Sequence, residues 1–478
     1  MITVSALPPS KLATKRLKFT TYADSSRKLQ ISTNWLPLFL FEKGVEVVER
    51  PLESGRGICV ELASNLPAVF KSVKHIYSRT YPNRRNNPFE VTYEIRSQKL
   101  LDKCFSKLSS YAHITFTAGR LYIREVVDIV AERIAKLMTA SDPLTAFCAC
   151  TSGIDAHATY KQGFTINSIL EWRPGEKRDK NDLTETGALS AIANVPCKTL
   201  FNEDITTIDT GFLKWATKDC QSTLFTISLQ CDDLSNVKAN SLKEKSLESG
   251  ESSLSMFYDG LRIIEALRFP AVLLEQVPSF RDAQVGRVWD LRLRQFGYTT
   301  FDACLDARDF GGLSSRKRYF HFATLLSAPF SFPEPTSQKE KPVWDLLVAP
   351  RLSALRNVTH SKSLQDGLSC GRLRVITPNS TSVPTLLKSQ RRMAKDSVVC
   401  QLNDQLYMPD LDMERSIMGI PDEFNLDVVG TTIASEIVGQ GVDYDLYGQI
   451  IKRVKQHVLA FVKNTLPTCS HLLQEVID

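Results

Sequence analysis

Two residues whose types carry chemistry stand at the ends of apolar strands: Cys231 and Glu275. The run 271–277, AVLLEQV, reads as a buried strand ending in a carboxylate. Upstream, a second apolar strand at 224–229 runs into Gln230-Cys231-Asp232-Asp233-Leu234-Ser235. In a parallel sheet the carboxyl ends of strands open into a ligand crevice, so a thiol and an acid at neighbouring tips can meet over one substrate. A free thiol, with a pKa of about 8.5, is mostly protonated at neutral pH, so such a site must favour the thiolate through nearby cations or helix ends. Arg316 and Arg318 are candidates: in Ser314-Ser315-Arg316-Lys317-Arg318-Tyr319-Phe320 they alternate, and alternate residues share a strand face. Buried cysteines and strand-end glutamates are individually more often structural, so the pair draws its weight from the elements around it.

From about residue 142 those elements alternate between strand and helix. Apolar runs at 144–149, 165–171, 199–201, 224–229, 272–277, 298–304 and 317–324 are interleaved with helical patterns, the signature of a doubly wound, Rossmann-like α/β sheet over 142–328. The stretch 232–253, rich in Ser, Lys and Glu, reads as a mobile loop after the cysteine, suited to a lid. Residues 329–408, dominated by Pro, Ser, Thr and Arg, read as a small irregular domain; 409–465 then returns to the sheet through an amphipathic helix at 446–462. Residues 1–135 read as a β-rich domain with strand-turn-strand units at 45–62 and 113–124. Its central loop carries Lys71, Lys74, Tyr77, Arg79, Tyr81, Arg84, Arg85, Asn86 and Asn87, a composition suited to phosphates and unstacked bases, although an ordinary solvated loop fits as well.

Composition narrows the class. With 478 residues and 43% apolar content the chain can bury several cores, and a net charge of +6 permits a polyanionic partner without demanding one. Eleven cysteines, without a CxxC pair, suggest reduced thiols and neither a disulfide framework nor a metal site. No apolar run reaches membrane-spanning length, and residues 1–18 contain no apolar segment before a cleavage site, so a cytoplasmic chain is expected.

Taken in order, these motifs over about 142–465 resemble the DNA (cytosine-C5) methyltransferase family. Cys148-Ala149-Cys150-Thr151-Ser152-Gly153-Ile154-Asp155 is similar to its Phe-x-Gly-x-Gly-Gly cofactor loop, with Cys150 and Ser152 at two of the three glycines. The resemblance implies an S-adenosylmethionine-dependent methyltransferase sheet in which Cys148, Ser152, Gly153 and Ile154 hold the methionine part. It likewise gives Glu171 the ribose, Trp172 an adenine face, and Asp204 and Ile205 the adenine edge. Gln230-Cys231 stands for the family's Pro-Cys, which makes Cys231 the implied nucleophile; Glu275-Gln276-Val277 stands for Glu-Asn-Val, which makes Glu275 the acid at cytosine N3. Ser314-Ser315-Arg316-Lys317-Arg318 resembles Gln-x-Arg-x-Arg, Thr385-Leu386 the recognition Thr-Leu pair, and Gly439-Gln440-Gly441-Val442 the last motif, which completes the cofactor pocket. The segment at 351–405 is then a short target-recognition region, with Arg372, Arg374, Thr385, Lys388 and Arg391 on DNA, helped by Arg79, Arg84 and Arg85. The N-terminal part resembles the swapped-hairpin fold of AbrB-type regulators and SymE-like toxins, which leaves its dimerisation open. The implied activity is C5 methylation of a flipped cytosine in DNA. Two alternatives stay open: a DNA-binding regulator or toxin-like protein on a degenerate methyltransferase scaffold, and the same chemistry with an altered cofactor or a single-stranded substrate.

Overall fold

The structure, a computed structural model, describes residues 7, 9–67, 73–85, 88–176, 178–235, 238–336 and 342–477, with the backbone alone beyond residue 464. Lys71, Asn86 and Asn87 of the expected basic loop lie outside the described residues. The chain divides into two compact units, Met1–Glu132 and Arg133–Asp478.

In the first unit a six-stranded sheet runs in the order Ala13–Lys18, Tyr111–Thr117, Arg120–Val126, Gly57–Leu62, Glu46–Pro51, Val73–His75, and a four-stranded sheet in the order Thr20–Thr21, Arg27–Ser32, Phe89–Ile95, Tyr77–Thr80. Alternation makes the core: Ala112, Ile114 and Phe116 point inward from one strand to meet Ile58, Val60, Leu121 and Ile123.

The second unit is built on a seven-stranded sheet: β1 Thr145–Ala149, β2 Thr165–Leu170, β3 Cys197–Phe201, β4 Leu224–Ile227, β5 Ala271–Gln276, β6 Thr299–Asp306 and β7 Lys317–Thr324. Their spatial order is β3-β2-β1-β4-β5-β7-β6, and β7 alone runs antiparallel, between β5 and β6. Strands buried on both faces read as unbroken apolar runs, and each face has its own core. Ala146, Cys148, Leu224, Ala271 and Leu273 face the helices Ile154–Lys161 and Tyr444–Ile477, while Phe147, Phe225, Ile227, Val272 and Leu274 face Met256–Leu267 and Gln284–Gln295. Each leucine, isoleucine, valine and phenylalanine among them contributes about 2 kcal/mol by leaving water.

The region 351–408 is more regular than its composition suggests. Strands Arg356–Asn357, Gln405–Met408, Val398–Leu402 and Arg374–Ile376 form a four-stranded sheet over a small core of Val358, Leu364, Leu373, Val399, Leu406 and Met408. Likewise 232–253 is no plain loop, since it contains the helix Asn240–Glu248. Polar helices of this kind leave no apolar stripe to read from sequence.

Candidate active site

β1 and β4 are neighbours whose onward connections leave in opposite directions across the sheet, the arrangement that opens a crevice at strand carboxyl ends. A cleft of about 1330 Å³ opens there. Because β7 is antiparallel, its first residues reach the same rim as the last residues of β4 and β5. Cys231, Glu275, Arg316 and Arg318 all line the cleft.

Glu275 opposes Phe320 across the sheet, and Arg318, on the same face two residues before it, reaches diagonally to place Nε 3.0 Å from Glu275 Oε1. Burial lifts the Glu275 carboxyl above the ordinary range, with Arg318 and then Arg316 opposing. The Cys231 thiol follows the same pattern: burial pushes it up, and Arg318 is the strongest influence pulling it down. One guanidinium therefore serves both groups. Gln276 braces the pair, its Nε2 donating to Leu229 O (2.9 Å) and its Oε1 accepting from Val277 N–H (2.8 Å), which ties the tip of β5 to the segment entering Cys231.

Arg316 has a different environment. It is 2% exposed and donates to three carbonyls: Leu386 (3.2 Å), Gly439 (3.3 Å) and Gly441 (2.6 Å). Burial, then the neighbouring Arg318, pushes it down to about 9. Both arginines line the cleft, although Arg316 precedes β7 and is not part of it, and Arg318 is the one engaged with the acid.

At the opposite end of the cleft stand Ser152, Glu171, Trp172, Asp204 and Ile205, with Gly439, Gly441 and Val442 closing the wall. The loop after β1 keeps a glycine-like backbone without the glycines: Cys150 has φ +56° and Ser152 φ +45°, ahead of Gly153 at +103°. Glu171, at the end of β2, accepts from Ser152 N–H (3.1 Å) and the Ser152 hydroxyl (3.3 Å). Gly187 permits that approach, since a Cβ there would fall 2.3 Å from Glu171 Oε1. Gly153 and Ile154 form the helix start behind the loop, with Gly153 close against Ala191 and Ile154 fully buried. Cys148 corrects the sequence reading: its side chain is wholly buried in the core under the sheet, where burial pushes the thiol up, and it does not line the cleft. The strand's alternation sends it to the opposite side from a ligand. An S-adenosyl cofactor fits this end. The residues offer two strand-end carboxylates, Glu171 and Asp204, an indole, a glycine-like loop and a buried carboxyl oxygen on Asp155 that has no hydrogen-bond partner among the described residues.

The residues expected on DNA are mostly committed within the protein. Arg374 donates to Thr385 O (2.7 Å), and the Thr385 hydroxyl donates to Ser315 O (2.7 Å), binding the recognition strip to the segment of Arg316 and Arg318. Lys388 pairs with Glu176 (2.8 Å) at the edge of a network in which Arg173, Arg178 and Arg392 surround Glu436. Arg391 faces the buried Glu414 at 3.1 Å and lies away from the cleft; burial carries Glu414 up to about 7 even so. Arg372 is half exposed, 3.7 Å from Asp396. In the first unit Arg79 pairs with Glu94 (3.1 Å), while Arg84 pairs with Glu90 (3.6 Å) and stacks on Tyr81. Phosphate contacts from these arginines would have to compete with those carboxylates. Arg85 is exposed.

Sequence reasoning missed the clasp that shapes 232–253. Asp233, 7% exposed, accepts from Lys238 Nζ (2.5 Å), the Ser246 hydroxyl (2.9 Å), the Ser252 hydroxyl (2.9 Å) and Ser253 N–H (2.8 Å). Burial alone would raise this carboxyl, but Lys238 and the hydroxyls overcome it and hold it well below its usual range. The helix Asn240–Glu248 is thus stapled two residues after Cys231. Asp233→Asn should cost about 2 kcal/mol locally, because a charged acceptor of several donors is lost. Hydrogen exchange across 240–255 should quicken several-fold or more while β4 stays protected; unchanged exchange would mean the clasp contributes nothing.

A model of the C-5 cytosine-specific DNA methylase family matches residues 192–456. Among curated relatives, the Type II methyltransferase M.NgoBI of Neisseria gonorrhoeae is 30% identical over 139 residues, 28% of this chain and 42% of that protein. The Type II methyltransferase M.MspI of Moraxella sp. is 26% identical over 184 residues, 37% of this chain and 44% of that protein. The chain therefore spans less than half the length of the curated relatives it matches. Among solved structures, the S. pombe Dnmt2 methyltransferase aligns over 66% of this chain and 98% of its own with a TM-score of 0.51 at 15% identity, a likeness of fold. Among the described residues no helix is long and apolar enough to cross a membrane, and no cluster suits a metal ion. The family model takes in more than half of the chain's 478 residues, including Cys231, Glu275, Arg316, Arg318 and 439–442, and the chain belongs to the C-5 cytosine-specific DNA methylases.

Proposed function

We propose that this protein methylates C5 of cytosine in DNA, with S-adenosylmethionine as the methyl donor. The observation that carries the reading is the triangle at the cleft's base end: a cysteine after β4 and a buried glutamate at the end of β5, both under the influence of Arg318. Cytosine C5 is a poor nucleophile until a thiolate adds at C6 and converts the ring to an enamine. Cys231 supplies the sulfur. Glu275, held above the usual carboxylate range by burial, supplies the proton that N3 takes as electrons leave C6. When bound, the cofactor supplies an electrophilic methyl group to C5. Loss of the C5 proton then expels the thiolate and restores the ring.

A base can reach this depth only if it leaves the duplex, which costs a few kcal/mol. The segment 232–253 and the Thr385–Leu386 strip border the cleft on either side and are the chain's means of holding it there. One observation favours a scaffold that has lost its cofactor: Glu171 is already satisfied by Ser152. Bisulfite sequencing of DNA from a host expressing the full chain separates the readings. The enzyme should leave protected cytosines in one recurring context, and their absence, in soluble and abundant protein, would refute the activity.

A further inference from the structure

Asp155 has no role in the chemistry above, yet it is one of the residues lining the cleft. It sits in the first turn of the helix Ile154–Lys161 and is 2% exposed. Its Oδ1 is engaged by the Thr151 hydroxyl and by Ala156 N–H (3.0 Å). Its Oδ2 is buried with no hydrogen-bond partner among the described residues. The titratable groups around it are Glu171 after β2, Glu275 on β5, Cys148 and Cys150 in and after β1, and Tyr447 on the helix Tyr444–Ile477. None of them becomes a cation. The cleft's positive side chains are engaged elsewhere: Arg316 by carbonyls, Arg318 by Glu275, Arg374 by the Thr385 carbonyl, Arg173 and Arg392 by Glu436, and Lys388 by Glu176.

A buried carboxylate oxygen without a donor is an expensive arrangement, and it persists where a ligand completes it. We propose that Asp155 is a charge-selecting residue at the cofactor end, whose free oxygen faces a cationic centre of the ligand, so that the cleft prefers a sulfonium to a neutral thioether. The inference rests on reading this end of the cleft as the cofactor site. Its consequence is directional. Methyl transfer breaks the methyl–sulfur bond and leaves the electron pair on sulfur, so the positive charge vanishes and the product loses its partner.

Burial, with Glu171 and Glu275 adding to it, carries the resting carboxyl well above its ordinary range, so a cation that ionises it must expel a proton. Calorimetry on the full chain tests both points with three ligands: S-adenosylmethionine, its neutral product S-adenosylhomocysteine, and sinefungin, which carries an amine in place of the methylated sulfur. The two cations should bind about tenfold or more tightly than the thioether, the scale of a hydrogen bond to a charged group. Asp155→Asn keeps the shape and should bring that ratio near one while leaving thioether affinity within about twofold. In the unaltered chain, heats measured in buffers of different ionisation enthalpy should show proton release with the cations and none with the thioether. An unchanged ratio in Asp155→Asn, an equal loss for all three ligands in a variant that melts normally, or proton release that ignores ligand charge would each overturn the proposal. If the unaltered chain binds none of the three, the cofactor reading itself falls.

Discussion

With Cys231 replaced by serine, DNA containing 5-fluorocytosine should run free on a denaturing gel, whereas the unaltered chain with cofactor should hold it as a slow-moving covalent complex. Fluorine at C5 cannot leave as a proton does, so after methyl transfer the sulfur–C6 bond has no route to break. Among the cysteines whose side chains are described, Cys231 is the one that both follows β4 at the cleft and falls under Arg318. Serine is close in size, so packing at the loop is kept while the nucleophile is lost, and trapping should drop to background. Cys150, which also borders the cleft, is the control: burial and then Glu171 push its thiol well above the usual range, and Cys150→Ser should still trap. Trapping by Cys231→Ser, or dependence on Cys150 in its place, would refute the assignment.

Replacing Glu275 with glutamine should slow methylation about a hundredfold or more, the scale of a lost general acid, with cofactor affinity kept. The shared guanidinium adds a second, opposite signature. While its carboxyl is ionised, before it takes up the proton it later donates, Glu275 draws on Arg318 and its negative charge raises the Cys231 thiol. An amide removes that charge, so the thiol of Glu275→Gln should ionise at lower pH and react several-fold faster with iodoacetamide near neutrality. Slower methylation with faster alkylation is hard to obtain from a distorted site, which would slow both. Unchanged methylation would remove Glu275 from the chemistry, and slower alkylation would deny the sharing of Arg318.

The placing of reactive side chains at strand ends was legible because local pattern suffices for it. A buried apolar run that stops at a reactive side chain marks a tip, and six strands running in one direction put their tips on one rim. Charge partnerships were not legible. Lys388 and Arg391 look like phosphate ligands in a basic stretch, but their carboxylates, Glu176 and Glu414, come from distant or helical segments that only folding brings near. Arg374 was lost to a backbone carbonyl, a partner that no side-chain pattern announces. Cys148 failed for a simpler reason: within a strand buried on both faces, periodicity does not say which face a given residue takes. The helix Asn240–Glu248 escaped notice because its anchor is the acid Asp233 and the hydroxyls around it, with no apolar stripe to mark it.

Arg316 holds two segments by their main chain alone, through the carbonyl of Leu386 on one and those of Gly439 and Gly441 on the other. A bond to a carbonyl is blind to the identity of the residue that carries it. The segment around Leu386, expected to take part in target recognition, can therefore diverge in side chains and still dock, provided its backbone passes the same point. A single guanidinium thus works as a generic socket, separating what the protein reads from how the reader is mounted.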